Sequence, residues 1–324
     1  MYFGIQHQTR FRYDSPVSES LMELRMQPRT EASQRCHSFL VKVSPKARVM
    51  SYRDHLGNHI HHFNVAAKHT ELLIVTESMV ETFEANDLPQ RLDAKAWKTL
   101  DDMVARMDFW EFLMPSDIAK PTPLLEKMGE ELDAFRRDDP LTVLHELNAA
   151  IFETFDYVPK VVQVSAPVET VLEERKGGCQ DLSHIMLALV RRMGIPCRYV
   201  SGYLYRQEDD RIRSVAGASH AWVEALLPDL GWIGFDPTNR LLAGERHIRM
   251  SIGRDYNDVP PTKGVYRGNA QNELNVLVHV RRGEAPMLAD HTQELQFNAA
   301  PPVFGERPLQ TRDRVRHQQQ QQQQ

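Results

Sequence analysis

The sequence predicts an α+β fold, with strands first, then short helices, then a helix followed by strands. Three observations lead there. Residues 2–82 hold several short apolar-alternating runs separated by turn residues, the pattern of small antiparallel sheets. Residues 87–140 switch to Leu, Ala, Lys, Glu and Met, broken by prolines. Residues 179–236 then read as one long amphipathic helix, a strand and a hairpin. The chain has 324 residues, more than one domain of roughly 100–200. The expected organisation is therefore a β-rich N-terminal domain at 1–86, a helical connector at 87–140, a core at 141–284 and a C-terminal extension at 285–324.

The elements follow in chain order. In residues 2–13, Phe3 and Ile5, then Thr9, Phe11 and Tyr13, alternate with period two, and Asp14-Ser15-Pro16 marks a turn. Residues 39–43, 60–65 and 72–82 are further strands, and Asp54 to Asn58 supplies turn chemistry through Gly57 and Asn58. Together these suggest a small sandwich-like domain. Pro115, Pro121 and Pro123 cut the connector into short helices. Asp139 then stands as N-cap with Pro140 as first helical residue, and Leu144, Leu147, Ile151 and Phe155 recur at helical spacing.

The segment 171–239 carries the chemistry. Gly177 and Gly178 lead tightly into Cys179, and Leu182, Ile185, Met186, Leu189, Val190 and Met193 form a helical stripe. Gly194 falls where the helix would be capped, and Pro196 prevents its continuation. Strands are expected at 197–205, 219–227 and 232–236, the last two joined around Pro228 to Gly231. From Leu241 through Lys263 and Gly264 the chain reads as an Arg-rich loop, before a final strand at 272–280.

Composition narrows the function. The formal net charge is -5 and basic residues are scattered, which is not the footprint of a nucleic-acid binder. The three cysteines, Cys36, Cys179 and Cys197, form no C-x-x-C pair, so neither a disulfide scaffold nor a zinc ribbon is expected. No apolar run spans a membrane and no signal h-region opens the chain, so the expected location is the cytoplasm. The glutamine run 318–324 is expected to be disordered and receives no function.

Cys179 opens a helix, where partial positive charge and unpaired N–H groups favour the thiolate. The bland alternative is a buried small hydrophobe, which the flanking glycines and Gln180-Asp181 disfavour. A thiol nucleophile needs a base, and the base needs an orienting partner. His220 begins one hairpin strand and Asp236 ends the other, so pairing would bring them together, subject to register. Asp181 suits the first helical turn. His184 is expected on the helix face, Trp222 as a wall or packing residue and Cys197 in the core. His55, His59, His61 and His62 are expected at the surface rather than on a metal.

The stretches GGCQDLSHIMLALVRRMGIPCRYVSGY and SHAWVEALLPDLGWIGFDPTN resemble the bacterial transglutaminase-like superfamily, in which the Cys opens the helix, the His begins the second strand and the Asp precedes Pro-Thr-Asn. The N-terminal stretch with His7, Tyr13, Pro16 and Asp54 to Asn58 resembles the β-rich region that accompanies these enzymes, and RDYNDVPPTKGVYRG resembles their closing segment. The resemblance implies a papain-like transglutaminase core, with the Cys helix packed on an antiparallel sheet. It implies Cys179 as nucleophile, His220 as base and Asp236 as its orienting group, acting on a peptide or protein amide through a thioester, without metal or cofactor. The Cys179 backbone N–H is one oxyanion donor on the helix-terminus argument, and Gln163, Gln180 and Tyr157 are candidates for the second. Hydrolysis leads; acyl transfer to amines and a non-catalytic binding module are the alternatives. The absence of a D-x-D-x-D-G pattern disfavours a calcium-activated enzyme. Oligomeric state stays open.

Overall fold

The computed structural model describes residues 1–84, 87–106, 109–159, 168–207, 210 and 212–284. Gln163, the extension from 285 and the glutamine run lie outside the described residues. Met1–Gly283 forms one compact unit. It opens with five strands: β1 (Tyr2–Leu24), β2 (Gln34–Ser44), β3 (Met50–Arg53), β4 (His59–Val65) and β5 (His69–Thr82). Helices α1 (Ala96–Val104), α2 (Pro123–Glu131) and α3 (Pro140–Thr154) follow, then the short strand β6 (Asp156–Tyr157). Next come α4 (Val168–Glu174), β7 (Lys176–Gly177) and α5 (Cys179–Arg192). The remaining strands are β8 (Cys197–Leu204), β9 (His220–Leu227), β10 (Gly231–Asp236), β11 (Leu241–Leu242), β12 (His247–Gly253), β13 (Thr262–Arg267) and β14 (Asn272–Gly283).

The turn expected at Asp14-Ser15-Pro16 does not break β1. The strand runs on for 23 residues, and its pairing with β5 shifts between Arg12 and Val17. A proline is tolerated at such an irregularity, where no ladder N–H is needed. The shift lets one strand serve two sets of partners. Its first half pairs with β5 and β14, its second half with β4 and β13. The result is a seven-stranded sheet whose last two strands come from the far end of the chain. The strand expected at 272–280 thus forms, and Tyr2 to Tyr13 are its partners.

The second sheet has five strands in the order β11-β10-β9-β8-β12. The loop expected after Leu241 is in part strand: β12 lies beside β8, and its Ile248, Met250 and Ile252 are buried. Those three residues alternate with period two, a strand signal that the neighbouring arginines obscure. Helix α5 packs on β8 and β9, and its stripe of Leu182, Ile185, Met186, Leu189, Val190 and Met193 is buried in one core with α3. A second core joins the first sheet to Tyr203, Ile248 and Met250 of the core sheet.

Polar staples complement this packing. The Gln34 side chain donates to the carbonyls of Arg29 and Arg249, both at 2.8 Å, and accepts from Arg249 N–H at 2.8 Å. Fully buried Glu224 of β9 accepts from Arg198 Nη2 at 2.6 Å and from Arg249, which also donates to Ser33 Oγ at 2.6 Å. Asn58 donates to the Ile252 carbonyl at 2.8 Å and accepts its N–H at 2.9 Å. Of the four clustered histidines, His55 is exposed as expected, but His61 points inward beside Phe39 and is buried, because the β4 pleat turns that position to the core.

Candidate active site

Helix α5 begins at Cys179, with Gly178 as N-cap. Gly178 has no side chain with which to cap, and the Asp181 carboxylate accepts its N–H at 2.8 Å, so the acid expected in the first turn closes the helix start. At the other end Gly194 takes a φ of 76°. Its N–H reaches the Arg191 carbonyl at 2.8 Å and the Ile195 N–H reaches the Val190 carbonyl at 3.3 Å, a Schellman closure. Short parallel strands fix the approach to the cysteine: Tyr157 lies opposite Gly177, and Val158 N–H donates to the Gly177 carbonyl at 2.9 Å. Tyr157 is thereby placed by the same backbone that delivers Cys179, which is only partly exposed.

The hairpin register decides whether His220 and Asp236 meet. Leu227 pairs with Gly231 and Val223 with Phe235. Asp236 therefore falls opposite Trp222, the diagonal neighbour of His220 on the same face. His220 Nε2 and Asp236 Oδ2 are 2.8 Å apart, and both side chains are buried. Trp222 is fully buried beneath them, and it fits because Gly202 on β8 has no Cβ. A methyl carbon there would lie 2.4 Å from the indole and 2.3 Å from the Ile248 carbonyl.

Asp236 is held from every side. Its Oδ1 accepts the N–H groups of Thr238 at 3.1 Å and Asn239 at 3.3 Å. Its Oδ2 also accepts from Asn239 Nδ2 at 2.7 Å and faces His247 Nε2 at 3.3 Å. Asn239 extends the network, donating to Ser214 Oγ at 2.6 Å and accepting from the N–H groups of Arg213 and Ser214. Asn239 and His247 were not singled out by sequence reasoning. Asn239 sits in the Asp-Pro-Thr-Asn run, whereas His247 opens the strand that reads as loop. The facing atoms of His220, Asp236 and His247 lie within 4.8 Å of one another, and each is engaged in the hydrogen bonds just described.

The electrostatics follow from this arrangement. Burial opposes charge on His220, but Asp236, by charge and hydrogen bond, and then Cys179 outweigh it and push the imidazole up to about 10. Burial likewise opposes charge on Asp236, yet His220 and His247 hold it well below the usual carboxylate range. His220 Nδ1 is buried and has no hydrogen-bond partner among the described residues. Three tyrosines lie within electrostatic reach of Cys179. Burial and then the Cys179 charge push Tyr157 up to about 12, and the same two causes lead in raising Tyr199. Burial also raises Tyr256, against a hydrogen bond with Gln180. His184 lies on α5 with its face turned to the core: it stacks on Tyr199 at 5.0 Å and its Nε2 accepts the Tyr256 N–H at 3.2 Å. Cys197 is in the core as expected.

Comparison with known proteins agrees with this fold. Residues 3–81 match the family described as bacterial transglutaminase-like N-terminal region, and residues 132–237 match the transglutaminase-like superfamily. An uncharacterized protein of Mycobacterium leprae is 33% identical over 279 residues, covering 86% of this chain and 98% of that one. A protein-glutamine gamma-glutamyltransferase of Pseudomonas aeruginosa is 27% identical over 146 residues, 38% of this chain and 20% of that protein. A solved structure from Cytophaga hutchinsonii, described as a candidate cysteine protease, superposes with a TM-score of 0.65 at 20% identity, covering 90% of this chain and 95% of that one. The chain belongs to the bacterial transglutaminase-like superfamily. No helix among the described residues is long and apolar enough to cross a membrane.

Proposed function

We propose that this protein is a cysteine-dependent amide hydrolase that works through a thioester on Cys179. The observation that carries the reading is a buried His220 that shares a short hydrogen bond with Asp236 and interacts with a cysteine at a helix N-terminus. Asp236 takes Nε2 of His220, so Nδ1 is the nitrogen assigned to the thiol.

In the proposed reaction the Cys179 thiolate attacks the carbonyl carbon of a peptide or protein amide. The oxyanion is met by the Cys179 N–H, which as the first helical N–H has no intrahelical acceptor. Of the second-donor candidates, Tyr157 lies in the electrostatic shell of the thiol, and Gln180 bonds to Tyr256. The C–N bond breaks as the His220 imidazolium gives its proton to the leaving amine. Neutral His220 then takes a proton from water, the water oxygen attacks the thioester and the C–S bond breaks, restoring the thiolate and the imidazolium. An amine in place of water gives transamidation, the activity named for the Pseudomonas aeruginosa relative.

The test is to incubate the full chain with fluorescently labelled casein, with and without dansylcadaverine. Peptide fragments that disappear in Cys179→Ala support hydrolysis, and Cys179-dependent dansyl incorporation moves the assignment to acyl transfer. A Cys179→Ala variant that matches the parent in every channel overturns both and favours a binding module.

A further inference from the structure

His247 enters the Asp236 network from a strand outside the hairpin. Its Nδ1 accepts the Gly244 backbone N–H at 3.3 Å. An acceptor cannot carry a proton, so the ring is the neutral tautomer protonated on Nε2. That Nε2–H points at Asp236 Oδ2, 3.3 Å away. The ring is buried and lies edge-on to Trp222 with centroids 5.2 Å apart, and the Gly244 N–H on Nδ1 and Asp236 on Nε2 set its orientation. Asp236 Oδ2 therefore serves three N–H donors: the His220 ring at 2.8 Å, the Asn239 amide at 2.7 Å and the His247 ring.

We infer that His247 is a positioning residue of the site: as a fixed neutral donor it takes part of the Asp236 charge and so limits how firmly His220 holds its proton. The inference rests on the role proposed for His220. In that role the proton on His220 must leave for the amine and return from water. A carboxylate reserved for His220 alone would hold the proton too tightly. The titratable and charged groups facing this network are few. Asp236 bonds His220 and His247 and acts electrostatically on Tyr157; His247 feels the charge of Arg249; and Cys179 acts electrostatically on His220, Tyr157, Tyr199 and Tyr256. Arg249 is committed to Glu224, so its own charge does not change in the working range.

The experiment uses the full chain labelled with 15N at histidine and follows both rings by NMR as pH rises, in the parent, His247→Leu and His247→Gln. Glutamine places a donor nitrogen near the Nε2 position, and leucine removes it. The expected result is a parent His247 neutral and Nε2-protonated throughout. The His220 midpoint rises by about one unit in His247→Leu, the effect of one hydrogen bond to a charged group, and returns towards the parent in His247→Gln. A midpoint unchanged in both variants, or shifted equally in both, overturns the inference. Should His247→Leu fail to fold, the parent spectrum decides alone: a charged His247 or one protonated on Nδ1 overturns it. Cys179 alkylation measured on the same samples separates the two readings. An ordinary thiol there refutes the proposed function while the tautomer still judges His247.

Discussion

At the scale of single residues, the site depends on small side chains as much as on reactive ones. Gly202 leaves room for Trp222, whose ring underlies His220. Gly202→Ala forces carbon against a backbone carbonyl, which cannot retreat like a flexible side chain, and should destabilise the fold by roughly 1–3 kcal/mol. A lowered denaturant midpoint at unchanged slope would show this; an unchanged midpoint would refute it. The residues carrying Cys179, His220 and Asp236 were legible in sequence because each begins or ends a recognisable element. Asn239 and His247 were not, because the one reaches Arg213 and Ser214 of a distant loop and the other is delivered by the pairing of β12 with β8, which no local pattern states.

At the scale of elements, helix α3 shows how far local chemistry reaches. Asp139 accepts the N–H groups of Leu141 at 3.1 Å and Thr142 at 3.2 Å, as the Asp-Pro pair predicts, and also that of Leu92 at 3.1 Å. The last bond ties a distant segment to the cap and was invisible in the sequence. Asp139→Ala should therefore sit at the upper end for N-cap loss, about 2 kcal/mol, by equilibrium unfolding. A loss of about 1 kcal/mol, the typical value for a cap alone, would mean that the Leu92 bond adds nothing. Strand β1 shows the opposite case. Its period-two pattern was plain, but Asp14-Ser15-Pro16 looked like a turn because pairing on both flanks overrides local preference.

At the scale of the whole molecule, the chain closes on itself twice. The β14 strand lies against the first half of β1, so a chain ended at Gln271 strips one flank of that strand from Tyr2 to Tyr13. Such a truncation should lose cooperative unfolding, whereas a sharp two-state transition would show that the first sheet stands without it. The second closure is ionic. Burial opposes charge on Glu224, but Arg249 and Arg198 overcome it and hold the carboxyl well below its ordinary value. A depressed folded-state carboxyl stabilises the protein above its unfolded value of about 4.3 and loses that contribution as pH falls through the folded one. Stability should therefore fall below about pH 4. Glu224→Gln should remove that acid dependence and cost about 3 kcal/mol at neutral pH, the lower end for breaking such a pair, since it leaves the half-buried Arg198 without its anion while Arg249 keeps Glu31.

The central claim is that Cys179 and His220 act as an activated pair. The most direct test is the rate of iodoacetamide alkylation of Cys179 across pH, in the parent and in His220→Ala. Fast alkylation well below pH ~8 in the parent, slowed in the variant or shifted up towards the ordinary thiol value near ~8.5, is the predicted result. Identical slow profiles with that ordinary midpoint in both proteins would contradict the account.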